Sequence, residues 1–279
     1  MRHPSCPGYA RAPYADLVAD YPGEDVYPPA AFRTESGPIF HRGRLDGSAR
    51  ILVLGQDPAA HEAVTRRVLI GEAGQRIQGF LARLGIETSY VILNTFLYSV
   101  YGQRGGEAHV GDPEITAYRN RWLDAAAEDN ELAAVLTLGH LADTAYHAWP
   151  GADRHPHTYV NVVHPTYPES ASASGSTILA AAMKRLCASW NAGLDRLADL
   201  TPDSARPLVH YGDALTPADD APVPEADLPA GLPAWMRGLD AWASRTGATA
   251  AEKRATLTVR VPAGARPPSP ERLAGVVTP

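Results

Sequence analysis

The chain has 279 residues, of which 45% are hydrophobic, and a formal net charge of -6 at pH 7. This length suits one ordinary domain with an additional segment, and the hydrophobic content is sufficient for a large core. The negative charge argues against a general polyanion binder, because phosphate contacts require Lys and Arg. The two cysteines, Cys6 and Cys187, are too few for a disulfide framework or a four-thiolate iron–sulfur cluster.

The first residues do not have the pattern of a targeting segment. MRHPSCPGYA lacks the apolar stretch of a signal peptide, and no hydrophobic run approaches the roughly 20 residues that span a bilayer. We therefore expect a soluble, cytoplasmic protein. Residues 1–49 are rich in Pro, Gly and Tyr, with one short helix predicted near residues 12–19. This composition predicts an N-terminal arm that packs on the core.

Short apolar runs alternate with helical patterns through residues 50–200. The predicted strands are 51–54, 90–93, 134–138 and 159–163, and the predicted helices are 74–84, 115–126, one that ends at 149, and 179–197. Strands that alternate with helices pair in parallel through right-handed crossovers. The pattern predicts a three-layer α/β/α sandwich with a central four-stranded parallel sheet.

The composition changes near Thr201. Twelve of the 25 prolines lie in the last 79 residues. Within this segment we predict an acidic, Pro-rich linker, a helix at 235–245 and a short strand at 255–261. Residues 201–279 are thus expected to form a partly irregular C-terminal extension, and their sequence does not indicate a function.

Three of the predicted strands are followed by a polar residue: Asp57, Asn94 and His164. The loops that leave the carboxyl ends of parallel strands line a common crevice, so we expect these side chains to converge. Cleavage of an N-glycosidic bond uses such groups. A carboxylate orients water and stabilises an oxocarbenium-like sugar, a hydrogen-bond donor stabilises the departing base, and an amide reads its edge. Asp57, His164 and Asn94 fit these roles in that order.

Each of these residues also has an ordinary structural interpretation. Asp57 is of a type that often caps helices, and Asn94 is of a type that tolerates turns. His164 precedes a proline and fits an ordinary loop histidine. Within the motif GQDP at residues 55–58, catalysis is the favoured interpretation of Asp57.

Residues 50–190 resemble the uracil-DNA glycosylase superfamily. GQDP at 55–58 is similar to the family's water-activating motif, and ILNT, which contains Asn94, is similar to its base-reading strand end. VVHPT at 162–166 resembles the histidine motif that opens the duplex-penetrating loop. RRVLIGEAG at 66–74 and VLTLGHLA around Gly139 are similar to segments of the iron–sulfur branches. All these motifs occur in the family's order.

The resemblance implies a monofunctional DNA glycosylase that removes a flipped uracil or modified base and leaves an abasic site. It implies Asp57 and His164 as catalytic residues, DNA as the partner, a monomer, and no cofactor or metal. The other site residues that it implies are Gln56, Ala59, Leu69 and Asn94 for the base, and Arg66, Arg67, Pro165, Thr166 and Tyr167 for DNA. The two arginines and the tyrosine also fit a solvated surface.

Two positions depart from the family pattern. Leu69 stands where the family stacks a Phe on the base, and Ala59 stands where the best-known branch has a Tyr that excludes 5-methyl groups. Both changes predict a roomier pocket and a preference for bulky modified bases, such as those of foreign DNA. Two other classes stay open: a non-catalytic DNA-binding protein of the same fold, and a nucleoside hydrolase that acts on free nucleosides.

Overall fold

The structure is a computed structural model that describes residues 7–102, 105–171, 176–200, 207–229, 231–237 and 242–264. Its strands are β1 His41–Gly43, β2 Ile51–Gly55, β3 Tyr90–Asn94, β4 Ala134–Leu138, β5 Thr158–Val162, β6 Trp242–Ser244 and β7 Thr258–Arg260. Its α-helices are α1 Tyr14–Ala19, α2 Ala60–Thr65, α3 Glu72–Arg83, α4 Pro113–Asp129, α5 His140–His147, α6 Tyr167–Ala171, α7 Ser176–Leu197 and α8 Ala250–Ala255.

Five strands form the central sheet, in the order β1-β3-β2-β4-β5. Strands β2 to β5 pair in parallel, and their bounds agree with the predicted ones to within one residue. The predicted count of four strands was wrong, because β1 pairs antiparallel with β3 and adds an edge strand. The three residues of β1, His-Arg-Gly, have no strand pattern. Arg42 is fully buried there and donates hydrogen bonds to Val68 O and to the Tyr90 hydroxyl.

The sheet is covered on both faces, as the apolar, fully buried runs of β2, β3 and β4 predict. Helices α1, α4 and α5 bury their apolar side chains against one face, and α3 and α7 bury theirs against the other. On α7 the buried side chains recur at helical spacing: Leu186, Trp190, Leu194 and Leu197. The three layers of the sandwich are therefore present. Among the described residues, no helix has the length and apolar character needed to cross a membrane.

The C-terminal segment contains a small antiparallel ladder. Strands β6 and β7 pair with each other, and α8 lies between them in the chain. The predicted strand at 255–261 is present as β7. The predicted helix at 235–245 was wrong where it is described, since residues 234–237 form a 3-10 helix and residues 242–244 form β6. Residues 238–241 lie outside the described residues. Strand β6 packs against α2, the helix that follows the GQDP motif.

Candidate active site

The three polar residues predicted to converge follow strands of the same sheet. Asn94 is the last residue of β3, and Asp57 and His164 each come two residues after the ends of β2 and β5. Strands β2 and β3 are neighbours, with Gly55 paired to Asn94. Strand β4 lies between β2 and β5, and Gly139 follows it with a φ of +82°. A Cβ at Gly139 would lie 3.1 Å from the His164 Cβ, so the glycine admits the histidine at this edge.

The Asp57 carboxylate is oriented by a backbone hydrogen bond. Val100 N–H donates to Asp57 Oδ2 at 2.9 Å. Burial raises the pKa of Asp57 to about 7, although the Val100 hydrogen bond acts in the opposite direction. The side chain of Gln56 also hydrogen-bonds to this carboxylate. The helix-cap interpretation of Asp57 does not hold, because the N-cap of α2 is Ala59.

The loop that orients Asp57 is itself held by Arg33, a residue that no sequence pattern singles out. Arg33 Nη1 donates to Val100 O at 2.6 Å and to Ser99 Oγ at 3.1 Å. These partners lie 67 and 66 residues away in the chain, so no local pattern identifies the contact. The positive charge of Arg33 favours the ionised form of Asp57 and so lowers its pKa, against the larger effect of burial.

The His164 side chain is neutral near pH 7. Burial lowers its pKa to about 4, and the nearby Glu169 opposes this shift only weakly. Thr166 N–H donates to His164 Nδ1 at 3.3 Å. A backbone N–H can only donate, so Nδ1 is the acceptor and the imidazole proton is assigned to Nε2. The Thr166 hydroxyl also lies 3.2 Å from Nδ1. His164 is therefore a neutral hydrogen-bond donor through Nε2.

Arg76 of α3 holds the loop that follows His164. Its Nη1 donates to Pro165 O at 2.7 Å and to Glu169 Oε2 at 3.0 Å, and its Nη2 donates to Glu169 Oε1 at 2.9 Å. Such a two-point contact with a carboxylate fixes orientation as well as position. Arg76 is buried, and the sequence did not single it out because its partners lie 89 and 93 residues further along the chain.

The Asn94 side chain is 9% exposed, and both its amide nitrogen and its oxygen are buried without a hydrogen-bond partner among the described residues. A Cβ on Gly55 would lie 2.4 Å from Asn94 Oδ1, so the glycine provides the room that the amide occupies. The same Cβ would lie 3.6 Å from Leu69 Cδ1. Leu69 thus lies beside Gly55 and Asn94, and its φ of +52° is unusual for a residue with a branched side chain.

Ala59 is exposed and lines a cavity of about 270 Å³. Its backbone N–H donates to Glu62 Oε2 at 3.0 Å, which fixes the first turn of α2. The cavity lining includes small residues that follow Asp57, among them Pro58 and Ala63. It also includes Arg33, together with Arg245 and Lys253 of the C-terminal segment. No sequence pattern indicates that this segment lies beside the site.

The residues predicted to contact DNA make intramolecular contacts in this structure. Arg66 donates to Pro38 O at 2.7 Å and to Ser36 O, and Arg67 donates to Arg66 O at 2.8 Å. Tyr167 begins α6, and Arg185 lies 5.3 Å above its ring. Their contact with DNA stays a prediction, as does that of Pro165 and Thr166. In the described parts of the chain, no three His, Cys, Asp or Glu side chains come together as ligands for a metal ion.

Comparison with known proteins identifies the family. A family model described as the uracil DNA glycosylase superfamily matches residues 42–186, which is just over half of the chain. No curated protein matches the chain. The matched region begins in β1, ends in α7 and contains the polar strand ends Asp57, Asn94 and His164. The chain therefore belongs to the uracil DNA glycosylase superfamily.

Proposed function

We propose that this protein is a monofunctional DNA glycosylase that hydrolyses the N-glycosidic bond of a flipped uracil or modified base and leaves an abasic site. The observation that carries the proposal is the buried amide of Asn94, which has no hydrogen-bond partner in the described part of the chain and lies at the same sheet edge as Asp57 and a neutral His164. Membership of the superfamily supports DNA as the partner. A cytoplasmic location, a monomeric state and the absence of a cofactor stay predictions.

Asp57 is proposed to act as a carboxylate. In its ionised form it orients a water molecule towards the anomeric carbon and stabilises the positive charge that develops on the sugar. The hydrogen bond from Val100 N–H holds Oδ2 in place, so the carboxylate is already oriented before substrate binds. Because a raised pKa makes a carboxylate more basic, Asp57 is suited to accept a proton from that water near neutral pH.

His164 is proposed to stabilise the departing base. A pyrimidine that leaves with its glycosidic electron pair carries negative charge on a carbonyl oxygen. The neutral imidazole of His164 offers its Nε2–H to that oxygen, while Thr166 and the Arg76 contact with Pro165 hold the ring and its loop. A donor fixed before the charge develops stabilises the transition state more than the ground state.

Asn94 is proposed to recognise the base. Leaving a buried donor or acceptor without a partner costs about 1–3 kcal/mol. A base edge that offers a matching acceptor and donor removes this penalty, and a base that lacks them does not. The amide therefore favours bases with a complementary Watson–Crick edge.

We expect Gly55→Ala to lower the rate of base release by roughly 10²-fold, because a new Cβ 2.4 Å from Asn94 Oδ1 must displace the amide. Single-turnover base release measures this effect. The matched control is Gly111→Ala, since Gly111 has no atom within 4 Å of an added Cβ, and it should retain the wild-type rate. Equal rates for both variants would show that the position of Asn94 is not important.

A preference for bulky modified bases is the second candidate, and the cavity beside Ala59 favours it. A space of about 270 Å³ opens where the best-known branch of the family places a Tyr. We expect Ala59→Tyr to reduce the rate of release of 5-substituted bases at least tenfold and that of uracil less than threefold. In a hydrophobic pocket, a difference of one methylene-sized group between two substrates changes the ratio of their rates by roughly 10–200-fold. A parallel loss on both kinds of substrate would contradict the idea of a roomy pocket.

The test of the proposed function is base release from labelled oligonucleotides that carry uracil, 5-substituted uracils and cytosines, or hypoxanthine. Abasic sites produced by the wild-type protein from at least one of these would establish a glycosylase and rank its substrates. Tight DNA binding without release of any base would favour the non-catalytic binding protein. Hydrolysis of free nucleosides that duplex DNA does not inhibit would favour the nucleoside hydrolase.

A further inference from the structure

The cavity beside Ala59 is unusual for its concentration of positive charge. Its lining includes Pro58, Ala59 and Ala63, which offer no polar side-chain atoms. The same lining includes Arg33, Arg245 and Lys253. The whole chain is acidic, with a net charge of -6, so three cations around one small cavity depart from the general charge balance.

The C-terminal segment is fixed against the core at two points beside this cavity. Arg245 forms an ion pair with Glu35 at 2.8 Å and donates to Ser36 Oγ. Arg254 Nε donates to the Tyr101 hydroxyl at 2.9 Å. Residues 35–36 follow Arg33, and Tyr101 follows Val100, whose N–H orients Asp57. The segment therefore contacts residues close in the chain to Arg33 and Val100, which both interact with the Asp57 carboxylate.

The positive charge at the cavity is only partly compensated. Arg245 has a carboxylate partner in Glu35, whereas Arg33 donates to the neutral acceptors Ser99 Oγ and Val100 O. Within the described ranges, the Lys253 ammonium has neither a hydrogen-bond nor an ion-pair partner. Burial lowers the pKa of Arg33 and so does the neighbouring charge of Arg245, although Tyr101, Glu35 and Asp57 act in the opposite direction. An anion in the cavity would offset both effects.

We propose that this cavity is an anion-binding site completed by the C-terminal segment, and that its ligand is a phosphate or carboxylate group of the DNA substrate. Arg and Lys are the side chains that bind such groups, and Lys253 is the cation with capacity to spare. The anion has two possible sources: an internucleotide phosphate next to the flipped nucleotide, or an acidic substituent on the base itself. The inference rests on the proposed action on DNA, and it gives the C-terminal segment a role in substrate binding.

The experiment compares two variants with the same change of charge. The chain has only two lysines, Lys253 at the cavity and Lys184 on α7, where Lys184 is exposed and pairs with Asp213 at 3.3 Å. We measure the affinity of Lys253→Gln and Lys184→Gln for a labelled oligonucleotide with a non-cleavable 2′-fluoro target nucleotide. We expect Lys253→Gln to bind about 5–10-fold more weakly. The slope of its log affinity against log salt concentration should be smaller by the amount that corresponds to about one phosphate contact. Lys184→Gln should bind within twofold of wild type, and Lys253→Arg should retain most of the affinity.

Two sets of probes distinguish the sources of the anion. The first set is a series of oligonucleotides, each with one uncharged methylphosphonate at a different position around the target nucleotide. If the loss of affinity caused by Lys253→Gln disappears at a single position, the phosphate at that position is the anion. The second set compares oligonucleotides that carry a 5-carboxyl base or its 5-methyl analogue. If Lys253→Gln weakens binding only to the 5-carboxyl base, the base substituent is the anion. Either result supports the site.

Equal affinity of wild type and Lys253→Gln for every probe would overturn the proposal, and so would the absence of any DNA binding by the wild type. These measurements need no turnover. If DNA binding depends on Lys253 but no base is released, the glycosylase activity is refuted and the anion site is supported. If base is released at the same rate with and without Lys253, the glycosylase activity is supported and the anion site is refuted. Circular dichroism at 25 °C confirms that each variant is folded before it is compared.

Discussion

Asp57→Asn is expected to reduce base release by roughly 10²–10⁴-fold and to make the folded protein more stable at pH 8. The amide retains an oxygen that accepts the Val100 N–H, so the loop geometry is kept. It cannot accept a proton from water or balance the charge of an oxocarbenium-like sugar. Single-turnover base release measures the first effect, and urea unfolding measures the second.

The gain in stability follows from the pKa of the carboxyl group. Folding raises the pKa of Asp57 from 3.8 to about 7, so the folded state binds this proton more tightly than the unfolded state. The stability that the group contributes is fully present below the unfolded pKa and is lost as the pH rises through about 7. At pH 8 the ionised carboxylate therefore destabilises the fold, by on the order of 4 kcal/mol at most. Asn has no such penalty, so the two proteins should differ more at pH 8 than at pH 4.5.

The same pKa predicts the pH dependence of the reaction. Base release by the wild type should rise with pH and reach half of its maximum near pH 7, because the proposed mechanism requires the ionised form of Asp57. His164 should not affect this range, since its lowered pKa of about 4 keeps it neutral above pH 5. A rate that is constant from pH 5 to 8, together with an active Asn variant, would remove Asp57 from the mechanism.

The sequence was sufficient to predict the parallel strands and the polar residues that follow them. Strands β2, β3 and β4 are buried along their whole length, so a short apolar run marks each of them without any knowledge of its neighbours. The carboxyl ends of parallel strands share one edge, which is why Asp57, Asn94 and His164 were expected together. The family motifs gave these positions chemical roles that composition alone does not give.

The residues that the sequence did not reveal depend on contacts between distant parts of the chain. Strand β1 contains a buried arginine and has no strand pattern in its sequence. It is a strand because it pairs with β3. Arg33 reaches Val100, which lies 67 residues away, and Arg76 reaches Glu169, which lies 93 residues away. The helix predicted at 235–245 had the right periodicity. Even so, residues 242–244 pair with β7 as β6, because a partner strand is available there. Local patterns do not contain such information.

The C-terminal segment also contains Asp227, the counter-ion of the buried Arg42. Removing this contact is expected to have a large effect on the free energy of unfolding. Asp227 is fully buried, and its Oδ2 lies 3.7 Å from Arg42 Nη1. The Tyr90 hydroxyl accepts from Arg42 at 2.9 Å and donates to Asp227, so the tyrosine connects the two charges. Arg44 Nη1 lies 3.7 Å from Asp227 Oδ1. Asp227 of the C-terminal segment thus compensates the positive charges of Arg42 and Arg44 at the edge of the sheet.

Asp227→Ala is expected to lower the free energy of unfolding by about 3–5 kcal/mol, because it leaves the charge of Arg42 buried without a counter-ion. Asp227→Asn should lose less, since its amide still accepts the hydrogen bond from Tyr90. The matched control is Asp213→Ala on the same segment, whose carboxylate is exposed and pairs with the exposed Lys184, so it should change stability by less than about 0.5 kcal/mol. Urea unfolding followed by tryptophan fluorescence compares the three variants. If Asp227→Ala were as stable as the control, the burial of Arg42 would not depend on residues 207–229, and the C-terminal extension would be separable from the fold of residues 42–186.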